Sequence, residues 1–338
     1  MTAPTLPLSR YQASRRQTLV RWGGAAAGLV AFGAPATLLA QTSDKVVRFI
    51  LPVSPGSGVD GIARASQNAL AKALGQGVVI ENQPGAGGVV GTSAMIRSAP
   101  DGLTLSMVSN NHVIYPAVLK SLPFDPVADI TPIAVIGATP LVLVVNPKVP
   151  AKNMKELVAL FKANPGKYNY ASSGNGTILH LAPEMFKDVT QTFVTHIPYR
   201  GVAPMVQDII AGQVDMGVLA LPSAQAHIKN GTLRAICVSA PARIPAAPDI
   251  PTSTEQGYPG YMVEGWIAVV GPKGMAPDLV KHINAAIVAA FATPEVKEAM
   301  AKQGNTIKIS TPEFALAHFK SEMVKYAALV KKAGVVPQ

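Results

Sequence analysis

Val46-Val47-Arg48-Phe49-Ile50-Leu51-Pro52-Val53-Ser54-Pro55-Gly56-Ser57-Gly58-Val59-Asp60 is the stretch on which the fold turns. Its first half is apolar apart from Arg48, the pattern of a strand buried on both faces of a parallel sheet. From Asp60 to Leu74, apolar residues recur at helical spacing (Ile62, Ala63, Leu70, Ala73, Leu74), and Gly75 and Gly77 end the run. Between strand and helix lies a loop of small residues. Such a loop leaves the first N–H groups of the helix pointing outward, where an anion can sit.

The same unit recurs along the chain. Val78 to Ile80 reads as a strand, Gly85 to Gly91 as a glycine loop, Thr92 to Ser98 as a helix and Leu103 to Val108 as a strand ending in Ser109-Asn110-Asn111-His112. A second alternating series starts with helix Met154 to Ala163 and strand Tyr168 to Ala171. The loop Ser172-Ser173-Gly174-Asn175-Gly176-Thr177 then leads into helix Ile178 to Lys187, with the same chemistry as the first loop. Strand–helix pairs continue to Ser239. Two apolar runs, Pro140 to Asn146 and Trp266 to Gly271, stand apart. Helices Pro277 to Phe291, Pro294 to Gln303 and Pro312 to Ala333 finish the chain, with Thr311 as an N-cap and a short strand, Thr306 to Ile309, before it. The expected fold is α/β, with two doubly wound sheets joined by two crossing strands at about 140–146 and 264–271. Lobe 1 would comprise 44–143 and 264–338, and lobe 2 would comprise 144–263.

Residues 1–40 contain four arginines (Arg10, Arg15, Arg16, Arg21) and no acid, followed by an apolar run from Trp22 to Ala34 and the small residue Ala40. This reads as a signal peptide cleaved near Ala40, too short for a membrane span, and Arg15-Arg16 is the pair of the twin-arginine route. The expected location is the periplasm. Removing those four arginines leaves 25 basic residues against 19 acids, a net charge of about +6 instead of +10. The positive charges are scattered, with no basic stripe of the kind nucleic acid requires. Cys237, the single cysteine, sits in an apolar strand pattern and reads as a buried hydrophobe. The six histidines show no metal-ligand spacing, and no metal site is expected.

Two enzyme readings compete. Gly56-Ser57-Gly58-Val59-Asp60-Gly61 is a G-x-G-x-x-G between a strand and a helix, with Glu81 ending the next strand, so an exported NAD(P)-dependent oxidoreductase is the alternative. Pro52 and Pro55 weigh against the tight turn it needs. A serine hydrolase would want G-x-S-x-G, which is absent from the sequence. Asp60 is open between capping its own helix and contacting a ligand. Arg200 is open between a surface ion pair and a distal carboxylate of the ligand, Tyr199 between core and cleft wall. Trp266 reads as hinge packing, and His180 as a residue that starts its helix or lines the cleft.

Several further stretches carry a family resemblance: Pro55 to Asp60, Glu81-Asn82-Gln83-Pro84-Gly85-Ala86-Gly87-Gly88, Ala99-Pro100-Asp101-Gly102, Leu122-Pro123-Phe124-Asp125-Pro126, Asn164 to Thr177, His196-Ile197-Pro198-Tyr199-Arg200-Gly201 and Gly212-Gln213-Val214-Asp215. In this order they resemble the Bug-type (TctC-like) substrate-binding proteins of tripartite tricarboxylate transporters, from about Val46 to Ala333. The resemblance implies a two-lobed type II periplasmic-binding fold that closes on a small organic acid without chemistry or cofactor. It also implies a membrane permease or a sensor kinase as reader, and the chain is expected to be a monomer. Backbone N–H groups of Gly58, Val59 and Asp60 and of Asn175, Gly176 and Thr177 would meet opposite ends of the ligand. Ser57, Ser109, Asn110, Ser173 and Thr177 would add side-chain bonds, and Gly201 completes the set. Val59 replaces a usual Thr, Val202 a usual Gly, and Met216 to Ala220 lacks the usual aromatic and acid. The expected ligand therefore has one anchored carboxylate and an apolar or aromatic body, because a neutral site cannot compensate further buried charges.

Overall fold

The computed structural model describes residues 45–337; the signal-peptide expectation falls outside them. In chain order the first half contains β1 (Val46–Leu51), α1 (Gly58–Leu74), β2 (Gly77–Asn82), a 3₁₀ turn (Ala86–Gly88), α2 (Val89–Ile96), β3 (Thr104–Ser109), α3 (Asn111–Val118) and β4 (Ile130–Val145). Next come α4 (Met154–Ala163), β5 (Asn169–Ser172), α5 (Ile178–Thr190), β6 (Thr195–Pro198), α6 (Val202–Ala211), β7 (Met216–Ala220), α7 (Leu221–Lys229) and β8 (Arg234–Val238). β9 (Glu264–Pro272), α8 (Pro277–Ala292), α9 (Pro294–Lys302), β10 (Thr306–Ile307) and α10 (Pro312–Lys332) complete the chain.

The strands follow the order β2-β1-β3-β9-β4-β7-β5-β6, with β8 and β10 also on β4. β1 runs parallel to β2 and β3, and β5 runs parallel to β6 and β7, as the strand–loop–helix units require. β9 and β4 are antiparallel to their neighbours, so each sheet is mixed. β4 belongs to both sheets: Ile130 to Pro140 pair with β9, then Leu141 to Val145 pair with β7 and β8. Its register slips between Pro132 and Ala134 and between Val135 and Gly137. Such bulges bend a strand and raise its twist, which lets one strand serve two sheets. Gly137 is needed because a Cβ there would lie 1.9 Å from the Thr306 carbonyl oxygen on β10.

Two apolar cores hold the sheets, the larger reaching into both. One joins Val47, Phe49 and Leu51 of β1 to Ile62 and Leu70 of α1 and to Ile283, Ile287 and Phe291 of α8. The other gathers Leu141 to Val145, Phe161, Tyr170, Phe186 and Met205, and also takes in Phe319, Tyr326 and Val330 of α10. α10 thus packs on α3 and β4, at the junction between the lobes.

Candidate functional site

The C-terminal ends of β1, β3, β5 and β7 converge on one cleft. Ser57 caps α1, its Oγ accepting from the Asp60 N–H at 3.3 Å. The Gly61 N–H already reaches the Ser57 carbonyl. Gly58 and Val59, at the very start of the helix, have no intrahelical acceptor for their N–H groups, and both residues line an inner chamber of about 80 Å³. That end of a 17-residue helix carries partial positive charge. The chamber walls are mostly apolar: Val53, Leu141, Ile178, Leu179, Trp266 and Ile267 all contribute, and none of the lining side chains is charged. A wider vestibule of about 660 Å³ shares Val53, Asn111, Ser173 and Val202 with the chamber, and Arg200 is the charged side chain on its wall.

The lobes touch across this cleft. The Val202 N–H donates to Ser54 Oγ at 3.1 Å, Ser223 Oγ donates to the Gly56 carbonyl at 2.9 Å, and the Ile178 N–H donates to Asn111 Oδ1 at 2.9 Å. Gly201 has φ +121°, and a Cβ on it would lie 2.3 Å from Ser54 Oγ, so only glycine permits this approach.

Each expected site residue has a definite place. Ser57, Gly58, Val59, Ser109, Asn110 and Ser173 line the chamber. Ser173, Asn175, Thr177 and Gly201 line the vestibule. Asp60 and Gly176 line neither. The Asp60 carboxylate, 5% exposed, turns back to accept from the Gly56 N–H (3.0 Å), Arg64 Nε (2.9 Å) and Asn82 Nδ2 (3.0 Å). Ser57 rather than Asp60 caps the helix, and the Asp60 carboxylate ties the loop to Arg64 and Asn82 instead. The Gly176 N–H donates to His180 Nδ1 at 2.9 Å. Thr177 donates through Oγ to the Gly174 carbonyl at 2.8 Å. The Asn110 amide holds the frame, accepting from the Trp266 N–H at 2.8 Å and donating to Tyr326 Oη and the Glu264 carbonyl.

Sequence reasoning passed over Ser54, Asn111, Thr139 and Ser223. Asn110 and Asn111 are neighbours of one type, and only the fold separates their duties. Trp266 lines the chamber while its Nε1 donates to Glu322 Oε2 at 2.8 Å, so it is both wall and junction.

Behind the second loop, His180 and His196 stack at 4.0 Å with rings 8° apart, and Tyr170 stacks on His196 at 4.8 Å. His196 Nε2 meets Ser172 Oγ at 2.6 Å. Tyr170 Oη bonds Glu184, which also pairs with Lys187 at 2.7 Å. Both imidazoles are pushed down to about 4: burial is the main cause, reinforced by Lys187 at His180 and by His180 at His196.

The family model described as "Tripartite tricarboxylate transporter family receptor" matches residues 62–335. The chain belongs to this family. BugT of Bordetella pertussis is 36% identical over 85% of this chain and 89% of its own length. A solved periplasmic transporter shares 38% identity with a TM-score of 0.84, covering 87% of this chain and 99% of that one. A Rhodopseudomonas palustris protein solved with adipate is 27% identical (TM-score 0.83; 86% and 98% covered). MatC from Rhodopseudomonas palustris, with bound malate, is 27% identical (TM-score 0.79; 84% and 98% covered). Membership makes the chain a periplasmic solute-binding protein of type II architecture, not an enzyme, and the oxidoreductase alternative at Gly56–Gly61 falls with it.

Proposed function

We infer that the cleft captures a small organic acid through one carboxylate seated at the start of α1, with an apolar or aromatic body filling the chamber. The observation that carries this is a helix N-terminus opening into a chamber whose lining has no charged side chain. One anion finds free N–H groups there; a second charge inside would find no counter-ion and would cost several kcal/mol. The relatives solved with adipate and malate support a carboxylate as the ligand class. Closure of lobe 2 (144–263) on lobe 1 (44–143 and 264–338) would present the loaded form to a membrane permease or a sensor kinase. The chain would act as a monomer, after removal of the leader near Ala40.

A second reading takes a longer dicarboxylate, one end in the chamber and the other in the vestibule beside Arg200. A thermal-shift screen separates these. A ligand at 100 times its Kd adds about 2.7 kcal/mol to stability. Aromatic and aliphatic monocarboxylates should stabilise the protein, and malate and citrate should do so weakly. Tight citrate binding with silence from aromatic acids would overturn the apolar-body reading.

A further inference from the structure

We propose that Thr139, on the crossing strand β4, is a ligand-binding residue whose hydroxyl completes the carboxylate seat at the start of α1. The proposal rests on the reading that the cleft takes a carboxylate. Thr139 lines the chamber and is 4% exposed, yet its Oγ has no hydrogen-bond partner. Among the described residues, the other buried side-chain atoms without a partner belong to residues that do not line the chamber. Buried hydroxyls are almost always paired, so this one calls for a partner that arrives with the ligand.

None of its polar neighbours bonds it. Ser57 Oγ is engaged with the Asp60 N–H, Ser173 Oγ with Thr177, Ser223 Oγ with the Gly56 carbonyl, and the Asn110 and Asn111 amides with the frame. The backbone of Thr139 pairs with Gly265 on β9, so its side chain is held on a rigid element rather than a loop. The position matches the role. Its methyl Cγ2 lies 3.6 Å from where a Cβ on Gly58 would stand, which puts Thr139 beside the first N–H groups of α1. A hydroxyl there donates to the same anion as Gly58 and Val59. Donation to a charged acceptor is stronger than to a neutral one, so Thr139 would favour an ionised acid over its neutral analogue.

The test is Thr139→Val and Thr139→Ser in the mature protein, with calorimetric Kd values for benzoate or adipate, whichever the wild type binds more tightly, and for the corresponding amide. Thr139→Val keeps the shape and removes the hydroxyl. The expected result is carboxylate binding weakened about ten-fold or more, with little change for the amide. Thr139→Ser should stay within about three-fold of wild type on the same principle. The ligand-free melting temperature of Thr139→Val should be unchanged or higher, because an unpartnered buried hydroxyl is gone. Equal weakening of acid and amide, or carboxylate binding untouched by Thr139→Val, overturns the proposal alone. A wild type that binds no carboxylate overturns both it and the reading beneath it.

Discussion

The loops 54–60 and 172–177 share a composition and an address, each following a parallel strand and opening a helix, yet they are wired in opposite directions. In the first, Gly58 and Val59 open the helix without an intrahelical acceptor for their N–H groups, and both residues line the chamber. The second uses its N–H groups internally or on its neighbours: Gly174 on Ser172 Oγ, Gly176 on His180, Thr177 on the Gly174 carbonyl, Ile178 on Asn111. Both use one device: a side chain one turn into the helix accepts from a loop glycine four residues back, Asp60 from Gly56 and His180 from Gly176. The acceptors differ in kind. A carboxylate accepts through two oxygens and can hold several donors at once. An imidazole nitrogen accepts one N–H, and only while unprotonated. The first loop is therefore held by a carboxylate that keeps several donors at once, the second by an imidazole that must stay neutral to accept.

The largest expected effect tests the first loop. Asp60→Ala strips the acceptor from Gly56, Arg64 and Asn82 at once, in a buried place. Chemical denaturation should show a loss of about 3 kcal/mol, with ligand affinity falling as well. A loss below about 1 kcal/mol would break the idea that Asp60 holds the loop.

Acid tests the second loop. His180 titrates near 4 in the fold against an ordinary 6.5, so the unfolded chain takes up protons first as pH falls. Stability should be flat above about 6.5 and decline between 6.5 and 4, by about 3 kcal/mol for His180 alone. His196 shifts the same way, and stacking makes the second proton harder to add. Tyr170, Ser172, Glu184 and Lys187 are the other polar groups packed around the pair. Glutamine can accept from Gly176 without titrating, so His180→Gln should make the decline shallower, leaving the shares of His196 and His112. An acid profile identical to wild type would shift the effect to His196 and to His112, which burial also pushes down to about 4.

Much of this contrast lay beyond the sequence. The alternation of strands and helices was legible because β1, β3 and β7 are short, mostly apolar runs and turn residues such as Gly56, Gly102 and Gly174 stand between the elements, and so was the cleft at their ends. The first half of β4 was hidden by Pro132, Gly137 and Pro140, residues that argue against a strand until bulges and an edge partner accommodate them. Helix α3 was hidden by Pro116 and by its polar opening at Asn111 and His112. Which N–H groups remain free depends on where the third residue of each helix points, and the loop composition is silent on that. Thr139 had no local signal, since its importance comes from facing Gly58 across some eighty residues of chain.

Closure itself can be loosened without touching either loop's wiring. A Cβ on Gly58 would stand 2.9 Å from the Ala220 Cβ on the other lobe. Gly58→Ala should wedge the lobes apart, weakening binding by about 1–2 kcal/mol while leaving the fold stable. Ala220→Gly in the same chain should restore much of the affinity, because it removes the opposing methyl. Affinity that the second substitution fails to recover would place the harm in the α1 seat rather than in the approach of the lobes.

The smallest effect concerns Arg200, which gives the second loop's side of the cleft a charge where the first loop offers N–H groups. It is exposed on the vestibule wall, so water and salt screen its attraction for an anion. Arg200→Gln should cost a linear dicarboxylate about two- to five-fold in Kd at low salt, cost a monocarboxylate nothing measurable, and lose its effect near 1 M salt, where the Debye length shrinks to about 3 Å. Equal losses for both acids would mean that Arg200 steers every anion toward the mouth and contacts none. Loss confined to the dicarboxylate would assign the two sides of the cleft different chemistries, a dipolar seat on α1 and a screened charge opposite it.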